Sequence, residues 1–178
     1  MKAIPGSRAG LIASRGWLLL QVGFGKNNMV VMALRPHGKN LRKGRYSEPG
    51  RIYVLTMATR GRKPVFADFL AARCVVRVMM GHEQRGFTET LCFVVMPDHL
   101  HWMIRLGEGK TLGRVVQALK SLVVREIGTP VFQKGFYDHA LRREEDIKGL
   151  ARYIVANPLR AGLVDNIHDY PHWDAVWL

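Results

Sequence analysis

Between residues 52 and 164, short apolar runs alternate with longer stretches in which apolar residues recur at every third or fourth position. Residues 52–59 (IYVLTMAT) are apolar and β-branched over a short span, which predicts a strand. Residues 65–80 place Phe66, Phe69, Leu70, Cys74, Val75 and Val78 at helical steps. Two further strands are predicted over 88–95 and 100–106. The tight Met96-Pro97-Asp98 link between them predicts a hairpin-type turn, since Pro97 has no N–H for a central strand. Thr111 is placed to cap a helix that runs to about Glu126, with Leu112, Val115, Val116 and Leu119 on one face. Gly128-Thr129-Pro130 ends it. A short extended piece, 136–141, leads to a last helix over 144–156, whose Ile147, Leu150, Ala151, Ile154 and Val155 share a face. Pro158 closes that helix, because a residue before proline avoids the α region.

The predicted order is strand, helix, strand, strand, helix, short strand, helix. This is an α+β pattern, close to a ferredoxin-like antiparallel sheet with helices packed on one face. Around this domain (52–165), residues 1–31 are glycine-rich without a sustained period, an N-terminal extension and a candidate for disorder. Residues 32–51 are a basic arm punctuated by glycine and proline, expected to order on a partner. Residues 166–178 are left as a C-terminal tail.

Charge changes the picture. Residues 1–63 hold 13 Lys or Arg against the single acid Glu48, a balance of +12; residues 64–178 hold 14 against 13, a balance of +1. Such asymmetry points to a polyanion met by the N-terminal third, although a solvated basic tail fits the same numbers. In the arm, Arg42, Lys43 and Arg45 surround Tyr46, combining phosphate neutralisation with a ring on which a base can stack. Cys74 and Cys92 sit in apolar runs without CxxC spacing, so buried free thiols in a reducing cytoplasm are expected. The apolar stretch 17–24 is too short to cross a bilayer, and no membrane partner is expected.

The chemistry concentrates in Met96-Pro97-Asp98-His99-Leu100-His101-Trp102. Strand parity sends His99 and His101 to one side and Leu100, Trp102 and Ile104 to the other. Two imidazoles at i, i+2 make a bidentate nitrogen site for a divalent metal. Taken alone, the pair also fits two histidines on a half-exposed strand. Tyr153 lies off the apolar face of its helix, and alone it fits a packing residue with its hydroxyl in water.

Three ordered motifs, MPDHLHW, FYDHALR and YIVANPLRAGLV, resemble the REP-associated tyrosine transposases, a branch of the single-tyrosine transposases among the HUH endonucleases. The likeness runs from about Arg42 to Val164 and includes the arm segment LRKGRYSEPGRIY. It implies an HUH-type fold in which His99 and His101 bind a divalent metal, Mg²⁺ or Mn²⁺, and Tyr153 is the nucleophile. It places Asn157 as the third metal ligand, although related enzymes often use glutamine on an unbroken helix and Pro158 interrupts this one. It also implies DNA contacts from Arg42, Lys43, Arg45 and Tyr46, with His139 and Arg142 of the middle motif, where His139 could equally orient DNA, support the metal or pack.

The implied reaction is cleavage and rejoining of single-stranded DNA beside a palindromic hairpin through a 5′-phosphotyrosine link, by a monomer or homodimer. A phenol, with its pKa of about 10, needs help to ionise, and no base is evident in the sequence. Two other readings stand beside it: a catalytically inactive DNA-binding regulator of the same fold, and an HxH metallophosphodiesterase that uses water. The second needs more ligands than His37, His82, His168 and His172 offer by their spacing. Arg114, Lys120 and Arg125 are expected on a solvated helix face.

Overall fold

The computed structural model describes residues 47–142 and 146–177. All of them belong to the second of two compact units of the chain, His37–Leu178. The N-terminal extension and the arm residues Arg42, Lys43, Arg45 and Tyr46 lie outside the described residues.

Five strands form one sheet: β1 (Ile52–Ala58), β2 (Thr88–Met96), β3 (His99–Leu106), β4 (Tyr137–Ala140) and β5 (Trp173–Ala175). Their spatial order is β4-β1-β3-β2-β5, antiparallel throughout. With α1 (Phe69–Gln84) between β1 and β2, and α2 (Leu112–Ile127) between β3 and β4, the first four strands form the ferredoxin-like arrangement expected. β2 and β3 form a hairpin whose last pair is Met96 opposite His99, so Pro97 and Asp98 alone make the turn. A two-residue link leaves no slack, and the two histidines start at the very end of β3.

Side-chain chemistry explains most element boundaries. α1 starts four residues later than its apolar period suggests, because the Asp68 carboxylate accepts from the Ala71 N–H at 2.8 Å and caps it. A short 3₁₀ turn, Val65–Ala67, occupies the earlier part of that period. Thr111 caps α2 as expected, and Gly128 ends it in the left-handed region at φ 82°. Asp146 caps α3 (Ile147–Val155) by accepting from Gly149 N–H at 2.9 Å. Pro158 does more than close α3. It sits in the first turn of a further short helix, α4 (Asn157–Arg160), where its missing N–H costs nothing.

The helices do not all share one face of the sheet. α1 and α2 cover one face, packing Leu119, Val115 and Val75 against Leu55, Leu100, Trp102 and Ile104. α3 lies on the other, where Ala151, Ile154 and Val155 meet Cys92, Val94, Met96 and Met103. The reason is visible in β2, whose residues Leu91 to Met96 are apolar on both faces and bury both. The segment read as a C-terminal tail also belongs to the sheet: β5 pairs with β2 from Cys92↔Ala175 to Val94↔Trp173. Three residues are too few to show a strand period, and the apolar edge of β2 recruits them.

Lys120 departs from the solvated face expected of it. Its ammonium donates to Gln133 O at 2.9 Å and to Gly135 O, and lies over the Phe132 ring. It thereby ties α2 to the loop that enters β4. Cys74 and Cys92 are free and buried, as expected, and burial raises their thiols to about 11 and about 12 respectively. Among the described residues, no helix is long and apolar enough to cross a membrane.

Candidate active site

The β1–β3 register places the site. Ala58 lies opposite His99 and Thr56 opposite His101, with Met96 and Val94 on the β2 side. Residues paired across a sheet share a face. The histidines therefore stand on the α3 face, while Leu100 and Trp102 are fully buried beneath α1 and α2. The parity read from the sequence holds.

Both imidazoles are oriented by a second residue. His99 Nδ1 is 2.6 Å from Asp98 Oδ1. A carboxylate only accepts, so Nδ1 carries the proton and Nε2 presents a lone pair. Asp98 is itself held, by Arg62 Nε at 2.8 Å on its carboxylate and by the Thr59 N–H on its carbonyl at 2.9 Å. Arg62 reaches it from a left-handed backbone position at φ 56°, rare for a side-chain-bearing residue and costing of order 1–2 kcal/mol. On the other side, His101 Nδ1 is 2.9 Å from Thr56 Oγ1.

The two Nε2 atoms face each other at 3.1 Å, with the rings nearly perpendicular at 88°. Since His99 Nε2 is a lone pair, His101 Nε2–H donates to it, and the Thr56 hydroxyl then donates to His101 Nδ1. Burial lowers the pKa of both histidines, with Asp98 opposing the effect at His99 and His99, Arg160 and Arg62 adding to it at His101. Neutral imidazoles are what a metal requires.

The donor set fits a divalent cation. Two imidazole nitrogens 3.1 Å apart on one sheet face are close enough for His99 and His101 to hold one ion together. In place of the shared proton, His101 would carry its hydrogen on Nδ1 and donate to Thr56, whose hydroxyl can accept as readily as it donates. Carboxylate and hydroxyl partners behind the ligands are the usual way such imidazoles are held. No group of three His, Cys, Asp or Glu side chains converges among the described residues, so any remaining positions fall to other donors.

Tyr153 is on α3, 46% exposed, off the buried Ala151/Ile154/Val155 face. Asn157 lies one turn on. Its Nδ2 donates to Ile154 O at 2.7 Å, and its Oδ1 accepts from Arg160 NH2 at 2.9 Å. That oxygen keeps a second lone pair. The structure thus brings Tyr153, on the helix that covers the histidine face, close to Asn157 at the start of α4. Arg160 links the two groups: it packs on Tyr153, bonds Asn157, and contributes to the lowered pKa of His101.

β4 adds the middle motif. Its register sets Tyr137 opposite Thr56 and His139 opposite Val54, both on the histidine face. His139 is thus one strand pair farther along the sheet than the Thr56–His101 row. Arg142 is exposed beyond Ala140, at the Ile52 end of β1, away from the Ala58–His99 end.

Asp98, Thr56 and Arg160 were not singled out from sequence. Asp98 immediately precedes the HxH pair and could have been found by asking what orients its neighbour. Thr56 is 45 residues from its partner and has no sequence signal.

No family model matches the chain. It is 29% identical to a REP-associated tyrosine transposase of Escherichia coli over 129 residues, 71% of this chain and 78% of that protein. It is 24% identical over 100 residues to a Haemophilus influenzae protein named provisionally in the same way, 47% of this chain and 57% of that one. A solved structure, a REP-associated tyrosine transposase bound to a REP hairpin, superposes with a TM-score of 0.64 at 23% identity, over 73% of this chain and 79% of that one. In sequence the chain is similar to the REP-associated tyrosine transposases, and its fold is that of the solved one.

Proposed function

We propose that the chain is a transposase-type enzyme that cleaves and rejoins single-stranded DNA beside a hairpin, with Tyr153 as nucleophile and a divalent metal, Mg²⁺ or Mn²⁺, on His99 and His101. The observation that carries this reading is the 3.1 Å approach of two neutral Nε2 atoms on the same sheet face that α3, with Tyr153, covers. Asn157 is the candidate third protein ligand, through the Oδ1 lone pair that Arg160 leaves open. When bound, the ion would neutralise a non-bridging oxygen of the scissile phosphate.

The chain's own residues do the rest. Asp98 and Thr56 hold the imidazoles in their orientation. Tyr153 Oη forms a bond to phosphorus as the bond from phosphorus to the 3′ oxygen breaks. The phenol proton passes to solvent, the leaving oxygen becomes a 3′-hydroxyl, and a 5′-phosphotyrosine remains. Attack by another 3′-hydroxyl reverses these changes and rejoins strands without an external energy source. The solved relative is bound to a REP hairpin, which supports hairpin DNA as the substrate class. The basic segment Arg42, Lys43, Arg45 and Tyr46, with His139 and Arg142, is the proposed DNA-contacting set, and His139 shares the sheet face of the histidine pair. The buried thiols Cys74 and Cys92 accord with work in the cytoplasm.

The test is incubation with labelled hairpin-bearing oligonucleotides, with and without Mn²⁺ or Mg²⁺. A covalent protein–DNA adduct should form only with metal and should be absent in Tyr153→Phe, whose DNA binding is retained. Cleavage without an adduct would indicate a water nucleophile, and binding alone an inactive regulator.

A further inference from the structure

Arg160 makes three contacts around Tyr153. Its guanidinium stacks on the face of the Tyr153 ring, with the central carbon 3.7 Å from the ring centroid. NH1 donates to Tyr153 O at 2.8 Å, and NH2 donates to Asn157 Oδ1 at 2.9 Å. Together these occupy the ring plane and two edges of one rigid, planar group. The Tyr153 carbonyl lies in the last turn of α3, where such oxygens lack helical partners and a cation is favoured.

An exposed tyrosine on a helix surface is ordinarily free to sample its rotamers. In-line attack on phosphorus needs one of them. Arg160, seven residues on and beyond the α3–α4 break at Ala156, reaches back over the ring.

We propose that Arg160 is a positioning residue that clamps Tyr153 and the Asn157 amide in one mutual orientation. The proposal rests on the reading of Tyr153 as nucleophile. Lysine cannot replace it, since an ammonium offers neither the stacking plane nor the two parallel donors. A misplaced nucleophile loses rate rather than affinity, and a misplacement of about 1 Å costs about 100-fold.

The experiment compares wild type, Arg160→Gln and Arg160→Lys at saturating Mn²⁺ and hairpin oligonucleotide. The single-turnover rate constant for adduct formation should fall about 100-fold in both variants, while the oligonucleotide Kd changes less than threefold. In parallel, the metal-free proteins carrying ring-¹³C tyrosine are compared by NMR, with the Tyr153 signal assigned by its loss in Tyr153→Phe. That signal should stand away from the free-tyrosine position in wild type and move towards it in both variants, at unchanged melting temperature. Wild-type adduct rates in either variant, or a Tyr153 signal unmoved by the substitutions, would overturn the clamp. A Kd that rises with no change in rate at saturation would also overturn it. If Arg160→Gln fails to fold, Arg160→Lys decides alone. If wild type itself forms no adduct, the reading of the reaction fails and takes this inference with it; a normal wild-type adduct with unaffected variants fails the inference only.

Discussion

The two faces of the sheet are built by the same alternation and have opposite characters. On the α1/α2 face, β3 contributes Leu100, Trp102, Ile104 and Leu106, all buried, and β1 contributes Tyr53, Leu55 and Met57. On the α3 face, the same strands contribute His99, His101 and Met103, and Val54 and Thr56. Only part of that second face is apolar. Its end near the β2–β3 turn carries imidazoles and a hydroxyl, each with a defined partner. One face holds the fold together, and the other uses that rigidity to hold polar groups where loops would leave them loose. α3 is short, at nine residues against sixteen for each of α1 and α2.

Substitutions can break this contrast. The largest effect belongs to the packing face. Trp102→Ala removes a fully buried indole that packs against His82 and donates to Thr90 Oγ1. It should cost about 3–5 kcal/mol in urea denaturation. Next comes the orientation of His99. Asp98→Ala removes the acceptor of its Nδ1–H and should weaken Mn²⁺ binding about 10–100-fold by calorimetry. Stability should change by no more than about 1 kcal/mol, since the Arg62–Asp98 pair is partly exposed. Unchanged affinity would mean that the histidine face is not the metal face. The smallest effect is that of Thr56→Val, which keeps shape and removes the partner of His101 Nδ1. A neutral hydrogen bond is worth about 0.5–1.5 kcal/mol, so Mn²⁺ affinity should fall about two- to tenfold with the melting temperature nearly constant. An equal loss of stability and affinity there would erase the distinction between the faces.

Much of this was legible in the sequence for stated reasons. β1, β2, β3 and α2 declared themselves through long apolar periods and a proline that can only sit in the turn. Strand parity separated the histidines from Trp102 without any structure. What escaped was short or non-local. β5 has three residues, too few for a period, and α4 hides behind a proline that reads as a stop. α3 shows the apolar stripe of any packed helix, and nothing in that stripe says which face of the sheet it covers.

The sequence by itself determined the elements and the inward or outward sense of each side chain, because these follow from backbone period and from neighbours a few residues apart. It also carried the three motifs by which the family resemblance was read. The tertiary structure alone decided what meets what: Thr56 with His101 across two strands, Arg62 with Asp98 across 36 residues, and Arg160 folded back over Tyr153. Hydrogen bonds and stacking depend on distances of a few ångströms between atoms. Those distances are set by register, by the hairpin turn and by the α3–α4 break at Ala156, and no local pattern encodes them.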